Sequence, residues 1–334
     1  MDSSSEQISI IGAGSWGNTL AFLLGQHQKV ILWDHNPSRV RIINKTRRFK
    51  KPIKHKYPDN VLITSNLGDV LDSRIIINAV SLKGMAEVFA NLKLIGLRSD
   101  HILVSASKGI DSTNLKTPTE IIDSFCPDNP KAVISGPNLA RELIKGQPMV
   151  TEVAAKDPAI AQLVQEKISS PTLRVYINTD VKGVELCGAL KNVIAIAAGC
   201  CDGLKLGESA KASLITRGLK EMGKFLNLYG CQAETLLGPA GVGDLVATCS
   251  SNLSRNYRVG FMLTEGKKLD WIIDKLGEVA EGVNTAQAVY RIAQENKMEM
   301  PIAEEIKKLL DGEITAIDAV LNLMKRPIKK APLK

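Results

Sequence analysis

The order of apolar and polar positions divides the chain into two parts of different period. In the first part short apolar, β-rich runs recur between helical or loop segments. They are Gln7 to Ile11, Val30 to Trp33, Arg74 to Leu82, His101 to Ala106 and Ala132 to Ser135, with Thr151 to Lys156 and Leu173 to Tyr176 as closing strands. Such runs predict strands buried on both faces, the pattern of a parallel sheet with helical crossovers. From Leu204 onward β-branched alternation disappears and helical spacing takes over: Ser209 to Leu228, Arg258 to Leu263, Leu269 to Val279, Thr285 to Asn296 and Ile302 to Leu310. Met298 to Ile302 places a proline at a helix start. A chain of 334 residues suits two cores. The expected division is an α/β domain over residues 1–180 and an all-α domain over 181–334.

Between the two parts, Asp180 to Cys201 reads as a long helix of small and aliphatic residues with one anomaly. Lys191 stands on the same helical stripe as Val184, Cys187, Gly188, Ile194, Ala195 and Ala198. An unpartnered buried ammonium is costly, so burial lowers a lysine's pKa and makes an amine that trades protons near neutral pH. The alternative is a lysine that snorkels to the surface or pairs with a carboxylate.

Composition narrows the class. Hydrophobic content of 44% and charged content of 23% are those of a globular protein. The longest uninterrupted apolar run, Val193 to Cys201, is far short of the roughly 20 residues that a bilayer requires. Met1 to Gln7 is polar and acidic, unlike a signal peptide, so a cytoplasmic location and no membrane insertion are expected. Six cysteines without a C-x-x-C pair and four scattered histidines indicate neither a disulfide framework nor a metal site. The net charge of +8 is concentrated between Arg39 and Lys56 and again between Lys325 and Lys334. Phe49 and Tyr57 are too few aromatics for a base-stacking platform, so solvated segments near a phosphate-bearing ligand are the better reading and no nucleic-acid partner is expected.

Candidate chemistry sits at the ends of the strands. Gln7 to Ile11 runs into Gly12-Ala13-Gly14-Ser15-Trp16-Gly17 and then an apolar helical segment, Asn18 to Leu24. This is the strand, G-x-G-x-x-G turn and helix that lets a backbone approach a pyrophosphate at a helix N-terminus. The second strand ends in Asp34, where a carboxylate binds the adenosine ribose. Asp34 repels a 2′-phosphate and favours NAD, whereas His35 and Arg39 could accommodate NADP. Further along stand Ser107-Lys108-Gly109 and Ser135-Gly136-Pro137-Asn138, each after a strand. In the helical part Gly238 to Gly243 is a glycine-rich turn that leads into Asp244, readable also as a helix cap. Ser254-Arg255-Asn256 offers a hydroxyl, a guanidinium and an amide to a phosphate, or simply a cap followed by a surface arginine.

Taken in order, these motifs resemble a known family. Gly12-x-Gly14-x-x-Gly17, Lys108-Gly109, Gly136 to Ala140, Gly183 to Asn192, Ser213 to Gly218, Gly243 to Leu245 and Ser254 to Asn256 are similar to those of the bacterial-type NAD(P)-dependent glycerol-3-phosphate dehydrogenases, from about residue 7 to about residue 325. The resemblance implies a Rossmann-type parallel sheet, an all-α C-terminal domain, a site in the cleft between them and a homodimer. It also implies reversible reduction of dihydroxyacetone phosphate, a small phosphorylated substrate, for phospholipid synthesis. Lys191 then matches the proton-transferring lysine, with Asp244 and Asn192 beside it. Lys108, Gly136, Asn138, Ser254, Arg255 and Asn256 match substrate contacts. Ser15, Trp16, His35, Lys108, Ala140, Arg255, Val279 and Glu281 match contacts of the NAD or NADP cofactor. Asn138 replaces a common Ser or Thr, Ser81 a frequent proline, Ser209 a frequent asparagine and Asp34 a small residue.

The chemistry is consistent with the residues taken alone. Ketone reduction needs a proton at the oxygen as hydride reaches the carbon, so an acid with a pKa near the working pH must stand within hydrogen-bond reach. Lys191 suits that role, and Arg255 with Asn256 suits a grip on the phosphate that orients the carbonyl. Two other classes compete. One is a hydroxyacid or 6-phosphogluconate type of dehydrogenase, and the other a non-catalytic nucleotide sensor or nucleic-acid binder that uses the basic clusters.

Overall fold

The computed structural model describes residues 7–277 and 280–327. The chain forms two compact units, the first up to Gly188 together with Phe225–Asp244, the second Ala189–Lys224 together with the chain from Leu245. The expected cut at 180/181 lies eight residues before this division. The division passes through a continuous helix, and one later segment returns to the first unit.

Among the described residues the first unit contains ten strands: β1 (Gln7–Ile11), β2 (Lys29–Trp33), β3 (Arg48–Phe49), β4 (His55–Lys56), β5 (Val61–Thr64), β6 (Ile75–Asn78), β7 (Ile102–Ser105), β8 (Lys131–Ser135), β9 (Met149–Ala155) and β10 (Leu173–Asn178). Eight of them form one sheet in the order β10-β9-β8-β7-β6-β1-β2-β5. Every neighbouring pair in it is parallel except β8 and β9, where Ser135 faces Glu152 in antiparallel register. From β1 the chain first winds outward through β2 and β5 and then returns to β6 on the other side. That reversal is the switch point at which open α/β sheets bind ligands.

Among the described residues six α-helices, α1 (Ser15–Leu24), α2 (Pro37–Thr46), α3 (Leu82–Leu94), α4 (Pro118–Phe125), α5 (Ala140–Ile144) and α6 (Pro158–Ile168), and a 3-10 helix over Leu67–Asp72 join these strands. The sheet is buried on both sides because alternate residues serve different cores. Ile8 and Ile10 of β1 join one cluster with Leu20 and Leu24 of α1, while Ile11 joins the other with Met85 and Phe89 of α3. The one polar residue inside β1, Ser9, is satisfied by a 2.8 Å bond to Ser73. The basic stretch from Arg39 to Lys56 is α2 followed by the β3–β4 ribbon, which folds Phe49 and Tyr57 into the core.

The remaining helices are α7 (Val181–Gly203), α8 (Glu208–Leu228), α9 (Ala233–Leu237), α10 (Asp244–Cys249), α11 (Arg255–Thr264), α12 (Leu269–Leu276), α13 (Glu281–Glu295), α14 (Pro301–Leu310) and α15 (Ala316–Met324). Within the second unit α7 and α11 cross almost backbone to backbone. A Cβ on Gly199 would lie 1.9 Å from the Tyr257 carbonyl oxygen, and one on Gly260 would lie 1.8 Å from that of Ile196. By length and apolarity α7 could cross a membrane, but its apolar window is wholly buried in the protein.

Candidate functional site

The glycine turn has the shape its sequence predicts. Gly12 adopts φ +105°, and a Cβ there would press on Val80 and Ala79. A Cβ on Gly17 would lie 1.9 Å from the Gly12 carbonyl oxygen, so that glycine brings α1 down onto the turn. At Gly14, the residue that caps α1, a Cβ would meet nothing within 4 Å, and the first turn of α1 holds no acidic side chain. A closed turn, open space before it and a positive helix end together fit a dinucleotide pyrophosphate. Ser15 and Trp16 open α1, and Trp16 packs partly against the core.

Asp34 follows β2 and is buried. One carboxylate oxygen accepts the Asn36 N–H at 2.8 Å, and the other meets the Arg39 guanidinium at 2.8 Å. His35 is exposed, its Nδ1 3.8 Å from the same carboxylate. Arg39, the candidate for a 2′-phosphate contact, is thereby tied to the acid.

Lys108 and Asp244, 136 residues apart, form an ion pair of 2.5 Å with Asp244 buried. The same amine donates to the Gly136 carbonyl at 2.9 Å. Gly136 adopts φ +156°, and a Cβ there would lie 2.9 Å from the Thr151 Cα. Asn138 turns its amide to β9: Nδ2 donates to the Val150 carbonyl at 3.2 Å and Oδ1 accepts from the Thr151 hydroxyl at 3.1 Å. Its side chain thus braces the loop through which Gly136 meets Lys108. Ala140 is the first residue of α5. Gly188 keeps α7 close to this group, since a Cβ would lie 2.7 Å from the Ser135 hydroxyl and 3.5 Å from the Lys108 stem.

In the second unit Lys191 is 7% exposed, among Val184, Cys187, Ile194, Ala195 and Ala198 at 3% or less. It does not snorkel. Its ammonium donates to the Thr248 hydroxyl of α10 at 2.7 Å. Asn192 is buried beside it. Ser254 caps α11 by accepting the Tyr257 N–H at 3.2 Å, which satisfies the capping reading of that hydroxyl. Arg255 is exposed at the first position of α11, whereas Asn256 is buried and accepts the Gly282 N–H at 3.0 Å. That bond places Glu281, the first residue of α13. Burial pushes the Glu281 carboxyl up to about 7 against the opposing pull of Arg255. Val279 lies outside the described residues.

Thr248, Thr151 and Glu152 escaped the sequence reading. Thr248 stands four residues after Asp244, on the same face of α10, so helical spacing carried a signal for it. Among the described residues no cluster of His, Cys, Asp or Glu could hold a metal.

The doubly wound order, the glycine turn at the switch point and the helical second unit define a nicotinamide-nucleotide-dependent oxidoreductase of Rossmann type. Comparison with known proteins gives the family. The N-terminal model of NAD-dependent glycerol-3-phosphate dehydrogenase matches residues 7–161 and the C-terminal model residues 180–321. Similar chains include the glycerol-3-phosphate dehydrogenases (NAD(P)+) of a Synechococcus strain and of Geobacter sulfurreducens. The former is 42% identical, covering 97% of this chain and 96% of the relative, and the latter 42% identical, covering 97% and 98%. The crystal structure of glycerol-3-phosphate dehydrogenase from Coxiella burnetii superposes with a TM-score of 0.90 at 34% identity, covering 96% of this chain and 99% of that one. This chain belongs to the NAD-dependent glycerol-3-phosphate dehydrogenase family.

Proposed function

We propose that this protein interconverts dihydroxyacetone phosphate and sn-glycerol 3-phosphate with NAD(P)H, NADH being preferred, and that it supplies glycerol 3-phosphate for glycerophospholipid synthesis as a cytoplasmic homodimer. The observation that carries the chemistry is the amine of Lys191, sunk in an apolar stripe and aimed by the Thr248 hydroxyl at 2.7 Å. An amine so placed can give a proton to a ketone oxygen and, in reverse, take one from an alcohol. The bound cofactor supplies the hydride. Arg255 offers an exposed guanidinium suited to a phosphoryl group, so binding a non-reacting part of the substrate orients the part that reacts. Asn192 and Asn256 add buried amide groups close in sequence to these two.

Lys108 and Asp244 serve a second purpose in this reading. Their pair, completed by the Gly136 carbonyl, is a preformed polar arrangement that orients groups without reorganisation during the reaction. Gly12, Gly14, Ser15, Trp16 and Gly17 would hold the dinucleotide, and Asp34 would meet its ribose. His35, Ala140 and Glu281 would add further cofactor contacts, and Asn138 acts on substrate through the loop it braces. Support for NADH comes from the doubly engaged Asp34 carboxylate, beside which a 2′-phosphate would meet like charge.

The test is the fall in NADH absorbance when the purified protein meets dihydroxyacetone phosphate. Turnover with that substrate, none with 2-oxo acids, and no rise in absorbance when the protein is given NAD+ and 6-phosphogluconate, are expected. Turnover of a 2-oxo acid in its place would assign the site to a different dehydrogenase class.

A further inference from the structure

Adjacent residues of a strand point to opposite faces, and two adjacent residues of β9 brace two different loops around Lys108. On one face the Thr151 hydroxyl donates to the Ser135 carbonyl at 2.9 Å and to Asn138 Oδ1 at 3.1 Å, which holds the loop whose Gly136 carbonyl receives the Lys108 amine. On the other face the Glu152 carboxylate accepts the Ala240 N–H at 3.3 Å. Its second oxygen lies so near Gly238 that a Cβ there would come within 2.6 Å. Gly238 caps, and Ala240 belongs to, the tight turn over Pro239–Gly243, closed by bonds from the Gly241 and Gly243 amides to the Gly238 carbonyl. The residue delivered by that turn is Asp244.

We propose that Glu152 is a positioning residue for the reaction: it clamps the Gly238–Gly243 turn and so holds the Asp244 carboxylate on Lys108. This rests on the reading that Lys108 and Asp244 belong to the reaction site. The clamp is buried yet within reach of solvent protons, because Glu152 forms one wall of a cavity of about 340 Å³ lined also by Asn178, Thr179, Gln232 and Thr235. The neighbouring titratable groups that influence it or share its surroundings are Asp180 and Cys187 on the α7 side, Cys231 before α9, Glu234 in the same cavity, and Asp244 with its Lys108 partner. Burial raises the Glu152 carboxyl to about 7, the Ala240 N–H opposes that, and repulsion from Asp180 adds to it. The clamp therefore changes charge near pH 7. The ionised form is the stronger acceptor for Ala240, so the turn tightens as pH rises through about 7.

The experiment compares wild type with Glu152→Ala, Glu152→Gln and Asp244→Asn in dihydroxyacetone phosphate reduction, alongside NADH affinity from fluorescence quenching. A misplaced catalytic group costs on the order of 10- to 100-fold. Glu152→Ala is expected to lose about that much kcat/KM for the ketone, with NADH affinity within about twofold of wild type. Glu152→Gln keeps an acceptor for Ala240 and should match wild type within about threefold near pH 6, then fall behind it above roughly pH 7, where only the carboxylate gains charge. Glu152→Ala with unchanged kcat/KM overturns the inference. So does Glu152→Gln with a pH profile parallel to wild type, which remains informative if the alanine variant does not fold. A fully active Asp244→Asn would remove the reading of the site and this inference together. An inactive Asp244→Asn beside a fully active Glu152→Ala would remove this inference alone.

Discussion

In the proposed reading Asp34 meets the ribose end of the cofactor. Its carboxylate is fixed by the Asn36 N–H and by Arg39, each at 2.8 Å, so it neither turns aside for a phosphate nor releases the guanidinium to bind one. Asp34→Gly frees Arg39 and removes the repulsion. The ratio of kcat/KM for NADPH to that for NADH should rise about 10- to 100-fold, the equivalent of about 1.4–2.8 kcal/mol. An unchanged ratio in parallel steady-state assays would show that the acid does not select the cofactor. Single residues were legible in the sequence where a local pattern exposed them. Lys191 broke an apolar stripe, and Asp34 closed a strand after a glycine turn. The pairing of Asp244 with Lys108 was not legible, because the two lie 136 residues apart and only the folded sheet end brings them together. Nor was the inward turn of Asn138 toward β9, since sequence does not say which neighbour an amide satisfies.

Buried carboxylates of long helices tie the elements together by capping other helices. Glu185 of α7, fully buried, accepts both the backbone N–H of Thr119 at 2.7 Å and its hydroxyl at 2.6 Å near the N-terminus of α4. Glu221 of α8 does the same for α14 through the Ile302 N–H at 2.9 Å. Each supplies an acceptor to donors that a helix start leaves without an intrahelical partner. Glu185→Ala should therefore lower stability by about 1–3 kcal/mol in urea titration, with Glu185→Gln losing less because the amide still accepts from Thr119. An unchanged midpoint for the alanine variant would contradict the capping role. The helices of the second part were legible to within a few residues from their spacing, and Pro301 marks a start as read. The missed elements were short or amphipathic in other ways. Strand β5 spans four residues, and α15 keeps Ile317, Leu321 and Met324 exposed, so its apolar positions do not mark a core face. The antiparallel turn of β9 was invisible, since a run buried on both faces reads the same in either direction.

At the scale of the molecule, three carboxyls among the described residues are pushed by burial from 4.5 to about 7: Glu152, Glu221 and Glu281. A group whose folded pKa is raised binds more protons in the folded state, so its stabilisation is complete below about 4.5 and is lost as pH rises through about 7. Tm should fall on the order of 5–10 °C between about pH 5 and about pH 8, and Glu221→Gln should flatten part of that slope. A Tm that rises over the same interval would contradict the burial argument. The two-part plan was legible because the period of the apolar pattern changes near residue 180. Its boundary was not, because α7 runs unbroken through the division and residues 225–244 return to the first unit, neither of which a change of period reports. The central claim is that the Lys191 amine moves the proton of the reaction. Lys191→Met keeps the length and apolar bulk of the stem without the charge. Single-turnover mixing of the NADH-loaded variant with dihydroxyacetone phosphate tests it directly. NADH should bind within about threefold of wild type while its oxidation slows by at least about a thousandfold. Oxidation at the wild-type rate would contradict the account.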